Sequence, residues 1–192
     1  MPGQVTLFAD FTCPFCYVTE AALQLSAASA DVRLVHRAVE RFPIPPRPAP
    51  AAEPGWRDEV APLAAELGLP LGDPPFRPGT GKAHEAARWA AERGAERAMR
   101  EAIYRAYWGD ALDIGRIDVL QRIAESLGLD ATELKISLDI DQHAAAVHQD
   151  VDLAHRLRIP ALPTLFLTAG SEPRILIGLQ TRGALDEALA SR

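Results

Sequence analysis

Residues 10–17 of this 192-residue chain are Asp-Phe-Thr-Cys-Pro-Phe-Cys-Tyr, and they contain both of its cysteines, Cys13 and Cys16. The six residues before them, Gln-Val-Thr-Leu-Phe-Ala at 4–9, have the character of a short buried strand. Residues 14–29 follow with alanine, leucine and no helix breaker after Pro14. Proline suits the first turn of a helix, because the amide hydrogen that it lacks would have no partner there. The stretch therefore predicts a strand, a cysteine pair and a helix that begins at the pair.

A Cys-x-x-Cys pair at the start of a helix indicates redox chemistry. The unpaired N–H groups and the dipole of a helix N-terminus favour an anion, so we expect a lowered pKa and a nucleophilic thiolate at Cys13. Cys16, one turn further, is expected to be more buried and less reactive. It is close enough to form a disulfide with Cys13 or to resolve a mixed disulfide.

Two structural roles for the cysteine pair are disfavoured. A zinc site needs about four ligands, and neither a second cysteine pair nor histidines at ligand spacing accompany Cys13 and Cys16. A purely structural disulfide would close a loop so short that it constrains the unfolded chain little.

The rest of the chain predicts a sheet interrupted by helices. Apolar and polar residues alternate at 32–38, which predicts a second strand. The first forty residues therefore predict a parallel βαβ unit. Eleven of the 16 prolines lie between Pro43 and Pro78, which predicts a rigid connection around one short helix near 57–67. Further helices are predicted from 82 to 156, with a break at Gly94, a cap at Asp118 and another at Asp130. The last of these helices is predicted over 141–156.

The C-terminal part returns to strands, predicted at 164–168 and 175–177 around a turn at 169–172, and ends in a helix over 182–190. Neither strand-bearing part is large enough to stand alone, so we expect one shared sheet. We predict an α/β protein in which residues 1–42 and 158–192 form one domain. Residues 43–157 are then an inserted Pro-rich connection and α-helical domain.

Composition excludes several classes of protein. Apolar residues make up 48% of the chain and charged residues 24%, which are globular values. No apolar run is long enough to cross a membrane, and the first residues do not have the pattern of a secretory signal. The net charge is −6 and the basic residues are dispersed, which argues against nucleic acid as a partner. We therefore expect a cytoplasmic protein without a membrane or nucleic-acid partner.

A second local signal precedes the predicted strand at 164–168, where the sequence is Ala161-Leu162-Pro163-Thr164. A proline that enters a central strand needs a reason. A cis Leu162–Pro163 bond near the cysteines would supply one. It would keep a backbone N–H away from the sulfurs and leave the Leu162 backbone free to pair with an extended substrate.

The order strand, Cys-Pro-Phe-Cys, helix, strand, helical insertion, x-Pro-Thr strand, hairpin and helix resembles the DsbA family of thioredoxin-fold oxidoreductases, and within it the cytoplasmic FrnE-like branch. The segments that carry the resemblance are residues 10–17, Ala83-His84, Asp113-Ile114-Gly115, Gly128-Leu129-Asp130, Leu162-Pro163-Thr164 and Gly178-Leu179-Gln180. The resemblance implies a thioredoxin-like fold with a large α-helical insertion between βαβ and ββα halves. It also implies a thiol–disulfide oxidoreductase with a mixed-disulfide intermediate at Cys13.

The resemblance also implies a set of site residues and partners. The catalytic residues would be Cys13, Cys16 and Pro163, and the substrate-binding residues Pro14, Phe15, Leu162, Thr164 and His84. No metal or organic cofactor is required. Protein thiols or disulfides would be the substrates, with glutathione or a thioredoxin system as the candidate reductant. The sequence leaves open whether the chain is a monomer or a homodimer.

The sequence departs from the family pattern at several positions. Phe15 stands where FrnE-like proteins usually have Trp and periplasmic DsbA has His, and it cannot donate a hydrogen bond to a Cys13 thiolate. Leu162 replaces the smaller valine of the usual Gly-Val-Pro. Leu7 stands where related proteins often have a buried acid, which leaves Asp10 as the nearest acid. A role for Asp10 in the turn is favoured over a role in proton transfer.

Two other functions remain open. Kappa-class glutathione transferases and 2-hydroxychromene-2-carboxylate isomerases share the insertion, but they typically carry Ser at the position of Cys13 and lack the pair. A non-catalytic binding protein with a relic motif is the third reading, in which Cys13 would be dispensable.

Overall fold

The computed structural model describes residues 3–29, 32–44, 55–168 and 173–190. Its first three elements are β1 (Gly3–Ala9), α1 (Pro14–Ser29) and β2 (Val32–Ala38). β2 pairs in parallel with β1, from Gly3 opposite Val32 to Ala9 opposite Ala38. This confirms the predicted βαβ unit.

The C-terminal elements complete the same sheet, as predicted. They are β3 (Thr164–Leu167), β4 (Arg174–Ile177) and α8 (Arg182–Ala190). The strand order is β2-β1-β3-β4, with β3 antiparallel to both β1 and β4. The turn predicted at 169–172 lies outside the described residues.

The register of the sheet gathers three chain segments at one edge. β1 and β2 end opposite each other at Ala9 and Ala38. β3 runs the other way and begins with Thr164 opposite Phe8. The residues that follow β1 and β2 and those that precede β3 must therefore lie close together. These segments contain Cys13, Arg41 and Leu162.

Among the described residues, six helices lie between β2 and β3: α2 (Trp56–Glu66), α3 (Gly81–Ala91), α4 (Glu96–Trp108), α5 (Ile117–Ser126), α6 (Ala131–Asp139) and α7 (Ala144–Arg156). The break predicted at Gly94 separates α3 from α4, and Asp130 caps α6 through bonds from the backbone N–H groups of Thr132 and Glu133. None of the described helices is long and apolar enough to cross a membrane. The division into two domains stays a prediction.

Two details of the helical region were predicted wrongly. Asp118 does not cap α5, because Arg116 occupies the cap position and Asp118 lies inside the first turn. There its carboxylate accepts a hydrogen bond from the Arg116 guanidinium at 2.9 Å. The helix predicted over 141–156 is α7, which begins at Ala144 rather than at residue 141. Asp141 has a left-handed φ of 55° that ends the preceding helix.

One hydrophobic core joins the sheet to the helices. Alternate residues of β1, Val5, Leu7 and Ala9, belong to the same buried cluster as Trp89, Tyr104, Tyr107 and Trp108 from α3 and α4. The Trp108 indole also donates a hydrogen bond to the Phe11 carbonyl at 3.0 Å. This bond attaches the loop between β1 and α1 to the helical region and thereby fixes the segment that leads to Cys13.

A buried ion pair connects α1 to α4. The two carboxylate oxygens of Glu20 accept hydrogen bonds from two nitrogens of the Arg100 guanidinium, one of them at 2.8 Å. The Tyr104 hydroxyl donates to the same carboxylate at 3.1 Å. Burial disfavours the charged form of Glu20, but Arg100 and His36 outweigh it, so the pKa of Glu20 is lowered. The pair therefore remains ionised inside the protein.

Replacing Arg100 by methionine should lower the free energy of unfolding by about 3–5 kcal/mol, because the Glu20 carboxylate would stay buried without its partner. Urea denaturation followed by circular dichroism measures this loss. The matched control is Arg97→Ala on the same helix, whose exposed pair with Glu101 at 2.9 Å should contribute less than about 1 kcal/mol. Equal losses in the two variants would contradict a structural role for the buried pair.

Candidate active site

The two cysteines occupy the first turn of α1. The Cys13 carbonyl accepts the first helical hydrogen bond, from the Tyr17 N–H at 3.1 Å, and the Cys16 backbone N–H donates to Cys13 Sγ at 3.4 Å. Cys13 thus caps the helix with its sulfur, in the way that serine or aspartate caps other helices. The structure holds both cysteines as free thiols. Cys16 is fully buried, and Cys13 is only 3% exposed. The Cys13 sulfur is therefore less accessible than its place at a helix end suggests.

Cys13 lies at a cleft of about 600 Å³. One set of lining residues follows β2, and another comes from the end of α7 and the segment before β3. The lining residues are Cys13, Phe15, Val39, Glu40, Arg41, Val151, Ala154, His155, Arg158, Ile159, Pro160, Ala161 and Leu162. This cleft therefore leads to Cys13 between the segment after β2 and the segment before β3.

The segment before β3 faces the nucleophile. The Leu162–Pro163 peptide bond is cis, as predicted, and the Leu162 carbonyl lies 3.8 Å from Cys13 Sγ. The thiol of Cys13 is the donor in this contact. When Cys13 loses its proton, the Leu162 carbonyl loses this donor.

The pKa values of the two thiols are shifted in opposite directions. Burial opposes ionisation of Cys13, but the Cys16 thiol, the Arg41 guanidinium and the Cys16 backbone N–H stabilise its thiolate, so the pKa of Cys13 is lowered. Burial raises the pKa of Cys16 well above its ordinary value, and the neighbouring Cys13 raises it further. A single thiolate at Cys13, stabilised by a Cys16 thiol, is the favoured ionised state. Cys16 is the more buried of the two, as predicted, and the difference in reactivity between the two cysteines stays a prediction.

Sequence reasoning missed the contribution of Arg41. Its backbone N–H donates to Asp10 Oδ2 at 2.7 Å, and its guanidinium donates to the Thr12 carbonyl at 3.2 Å. Both contacts attach the segment after β2 to the loop that carries Cys13. The signal was present in the sequence, since parallel strands end at the same edge of a sheet and Arg41 comes three residues after β2.

Asp10 has the structural role in the turn that the sequence favoured. It is fully buried, and its carboxylate accepts hydrogen bonds from the Thr12 backbone N–H at 3.3 Å and the Thr12 hydroxyl at 2.9 Å, besides that of Arg41. Burial raises the pKa of Asp10, although these donors favour its charged form. The carboxylate therefore holds together the two loops that meet beneath Cys13.

His84 lies behind this loop junction. It is 2% exposed, its Nε2 is 3.3 Å from the Val39 carbonyl and 3.9 Å from Asp10 Oδ1, and its ring packs against Phe11. Burial and the positive charge of Arg100 lower the pKa of His84 to about 3. The imidazole is therefore neutral at physiological pH and packs inside the protein.

The residues predicted to bind substrate divide into two groups. Phe15 and Leu162 line the cleft. Pro14 is a buried first residue of α1, and the Thr164 hydroxyl donates to the Ala161 carbonyl at 2.7 Å. The described residues that line the cleft do not include Pro14, His84, Pro163 or Thr164. The predicted roles of these four residues therefore stay predictions.

No three His, Cys, Asp or Glu side chains within the described ranges gather where a metal ion could bind. The groups that act on the Cys13 sulfur are the Cys16 backbone N–H and thiol, the Leu162 carbonyl and the charge of Arg41.

Comparison with known proteins places this geometry among thioredoxin-like proteins. The chain matches the DSBA-like thioredoxin domain over residues 4–190. It is 27% identical to the uncharacterized protein YwbO of Bacillus subtilis strain 168 over 175 residues, which cover 87% of this chain and 88% of YwbO.

Two solved structures share the fold. A probable DsbA oxidoreductase from Streptomyces coelicolor superimposes with a TM-score of 0.79 at 24% identity, covering 97% of this chain and 88% of the other. The cytosolic disulfide reductase DsbM from Pseudomonas aeruginosa gives a TM-score of 0.66 at 20% identity, covering 90% and 88% of the two chains.

The reduced protein should be alkylated at Cys13 at pH values where an ordinary thiol, with a pKa of about 8.5, is still protonated. Iodoacetamide labelling as a function of pH, with mass spectrometry of the peptide that contains both cysteines, measures each titration. Cys16 should stay unmodified throughout the range in which Cys13 reacts. Labelling of Cys13 that rises only near the ordinary thiol pKa would show that the surrounding donors do not stabilise its thiolate.

Arg41→Gln should raise the pKa of Cys13, because it removes a positive charge that favours the thiolate. It should also make the reduction potential of the cysteine pair more negative, since the reduced form loses stabilisation. Equilibration with glutathione buffers and alkylation against pH measure the two effects. Arg41→Lys is the matched control and should keep most of both values. If the glutamine and lysine variants behave alike, the charge of Arg41 is not what acts on Cys13.

Proposed function

Since the chain belongs to the DSBA-like thioredoxin domain family, we propose that it is a thiol–disulfide oxidoreductase in which Cys13 is the nucleophile and Cys16 the resolving thiol. The observation that carries this proposal is the position of Cys13 directly before α1, where it lines the cleft and its sulfur accepts a hydrogen bond from the backbone N–H of the fully buried Cys16. The lowered pKa of Cys13 raises its thiolate fraction at a given pH, and the raised pKa of Cys16 keeps the second sulfur protonated until it is needed.

The first chemical step is attack by the Cys13 thiolate on one sulfur of a substrate disulfide. The substrate S–S bond breaks, a Cys13–substrate disulfide forms, and the other substrate sulfur leaves as a thiolate that takes a proton from water. The Cys16 N–H and the Arg41 guanidinium stabilise the thiolate before the attack.

The second step releases the substrate. Cys16 attacks Cys13 Sγ, the bond between Cys13 and the substrate sulfur breaks as the Cys13–Cys16 disulfide forms, and the proton of Cys16 passes through water to the expelled substrate thiolate. The substrate disulfide has then gained two electrons and the protein has lost two. The same steps in reverse transfer a disulfide to a substrate dithiol, so the net direction depends on the reduction potential of the pair and on its redox partners.

The cleft supports a role for the segment before β3 in substrate binding. The Leu162 carbonyl lies beside Cys13, where it can accept a hydrogen bond from the backbone of an extended substrate. Phe15 adds an apolar surface beside Cys13 but no donor to its sulfur. Pro163 would shape the site from behind Leu162.

Protein thiols or disulfides are the proposed substrates, and glutathione or a thioredoxin system is the proposed source of electrons. Support for glutathione comes from the Pseudomonas aeruginosa reductase, which shares the fold and has also been solved with GSH. The same neighbour, a cytosolic protein, is consistent with the cytoplasmic location that the sequence predicts.

The proposed activity predicts that Cys16→Ser traps substrates and Cys13→Ser does not. In Cys16→Ser the Cys13 thiolate can still form a mixed disulfide, but the resolving thiol is missing. In Cys13→Ser the remaining Cys16 is fully buried and has a raised pKa, so it cannot attack. Non-reducing electrophoresis of tagged protein purified from cells should show adducts that reductant removes, in the first variant alone.

The same experiment separates the competing functions. A glutathione-dependent isomerase or transferase would form protein adducts with neither variant, and it would isomerise 2-hydroxychromene-2-carboxylate in the presence of glutathione. A non-catalytic binding protein would keep its partners with both variants, and reductant would not release them. Equal trapping by Cys13→Ser and Cys16→Ser would refute the assignment of the nucleophile.

A further inference from the structure

Arg158 follows α7 at a left-handed backbone position that this chain fills with glycine after three other helices and with Asp141 after α6. Its φ is 51°, its N–H donates to the His155 carbonyl, and the next N–H, of Ile159, donates to the Ala154 carbonyl. The same pair of hydrogen bonds ends helices α2, α3 and α5, where the equivalent residues are Gly68, Gly94 and Gly128 with φ of 65°, 69° and 72°. A left-handed φ is easy for glycine and unfavourable for a residue with a side chain. The helix end alone does not explain why an arginine is found here.

Arg158 is exposed and is one of the residues that line the Cys13 cleft. A cation near a helix C-terminus is favourable, but the last turn of α7 already contains Arg156, which has an ordinary helical backbone. Stabilisation of the helix end therefore explains poorly why an arginine occupies position 158. Its place in the cleft wall explains it better.

The charge of the cleft is biased towards cations. Two arginines line it, Arg41 from the segment after β2 and Arg158 from the end of α7, and His155 from the last turn of α7 lines it too. Of the described residues in the wall, Glu40 is the one acid. Its carboxylate lies against Gly81 at the start of α3, and burial together with nearby Asp10 raises its pKa. An anionic group that enters the cleft therefore meets more positive than negative charge.

We propose that Arg158 is a specificity-determining residue which, together with Arg41, makes the cleft prefer disulfides that carry a carboxylate near the reacting sulfur. This inference rests on the proposed oxidoreductase function and names the substrate class of the same site. The carboxylate can belong to a small peptide-like disulfide or to an acidic segment of a protein. Attraction between opposite charges raises the local concentration of such substrates at Cys13 without changing the exchange reaction itself.

The test uses two probe disulfides with reduced full-length protein. Dithiobis-nitrobenzoate carries two carboxylates, and dithiodipyridine is uncharged. Each is mixed with the protein in a stopped-flow instrument at low salt, and the rate of the first exchange step is read from the absorbance of the released thiol. The measured quantity is the ratio of the anionic to the uncharged rate, which cancels effects on Cys13 that do not depend on substrate charge.

Arg158→Gly should lower this ratio roughly threefold to tenfold, the effect expected for one exposed charge on the association of an oppositely charged partner. The variant should fold, because glycine favours the backbone conformation at this position. Arg158→Lys should restore most of the ratio. Raising the salt concentration should shrink the difference between the parent protein and Arg158→Gly, since screening weakens exposed charges.

Arg156→Ala is the matched control, since it removes an exposed arginine two residues away that does not line the cleft. An equal fall of the ratio in this control would show an effect of net charge and would overturn the proposal. An unchanged ratio in Arg158→Gly would overturn it too. Both of these results leave the exchange activity intact. Failure of the parent protein to react with either probe would instead refute the oxidoreductase function.

Two further substrates distinguish the sources of the carboxylate. Glutathione disulfide represents the small ligand, and an unfolded protein disulfide flanked by acidic residues represents the segment. A loss in Arg158→Gly that is confined to glutathione disulfide assigns the cleft to small carboxylate-bearing disulfides. A loss confined to the acidic protein disulfide assigns it to protein segments.

Discussion

The hydrogen bond from the Cys16 backbone N–H to Cys13 Sγ is the contact on which the site depends. It exists because α1 begins at Pro14, directly after Cys13, so that an amide of the first helical turn points at the sulfur. The helix can begin there because β1 ends at Ala9 and the Asp10–Thr12 loop turns the chain. The nucleophile is thus a helix cap, and its reactivity follows from groups that the helix would have to satisfy in any case.

The sheet supplies what the helix cannot. Its register brings the residues after β2 and those before β3 to the end of β1, which places Arg41 and Leu162 beside Cys13. The hydrogen bonds from Arg41 to Asp10 and Thr12 then fix one of these segments to the cysteine loop, and Trp108 fixes the loop to the helical region from the other side. The site is therefore assembled from four parts of the chain that are far apart in sequence.

Local patterns predicted much of this architecture. Three elements lie where local patterns predicted them. They are α1, from the breaker-free stretch after Pro14, β2, from the alternation at 32–38, and α8, from the residues after Thr181. The cysteine pair and the Leu162–Pro163 signal are also local, and the structure places them in contact. The role of Arg41 was missed because it depends on the register between strands. The direction of Asp10 was open because the alternation of β1 ends one residue earlier.

Burial disfavours the charged forms of Asp10 and His84, two titratable side chains on the interior side of Cys13. Asp10 raises the pKa of both cysteines when it is charged, yet its burial raises its own pKa and its oxygens are occupied by Thr12 and Arg41. His84 faces it from α3 but is neutral, because burial and Arg100 disfavour its charged form. The interior side of the site thus contributes little positive charge, and Arg41 in the cleft wall provides the positive charge that acts on Cys13. The same wall receives the substrate, so a group that lowers the pKa of the nucleophile also shapes the electrostatic field that an incoming disulfide meets.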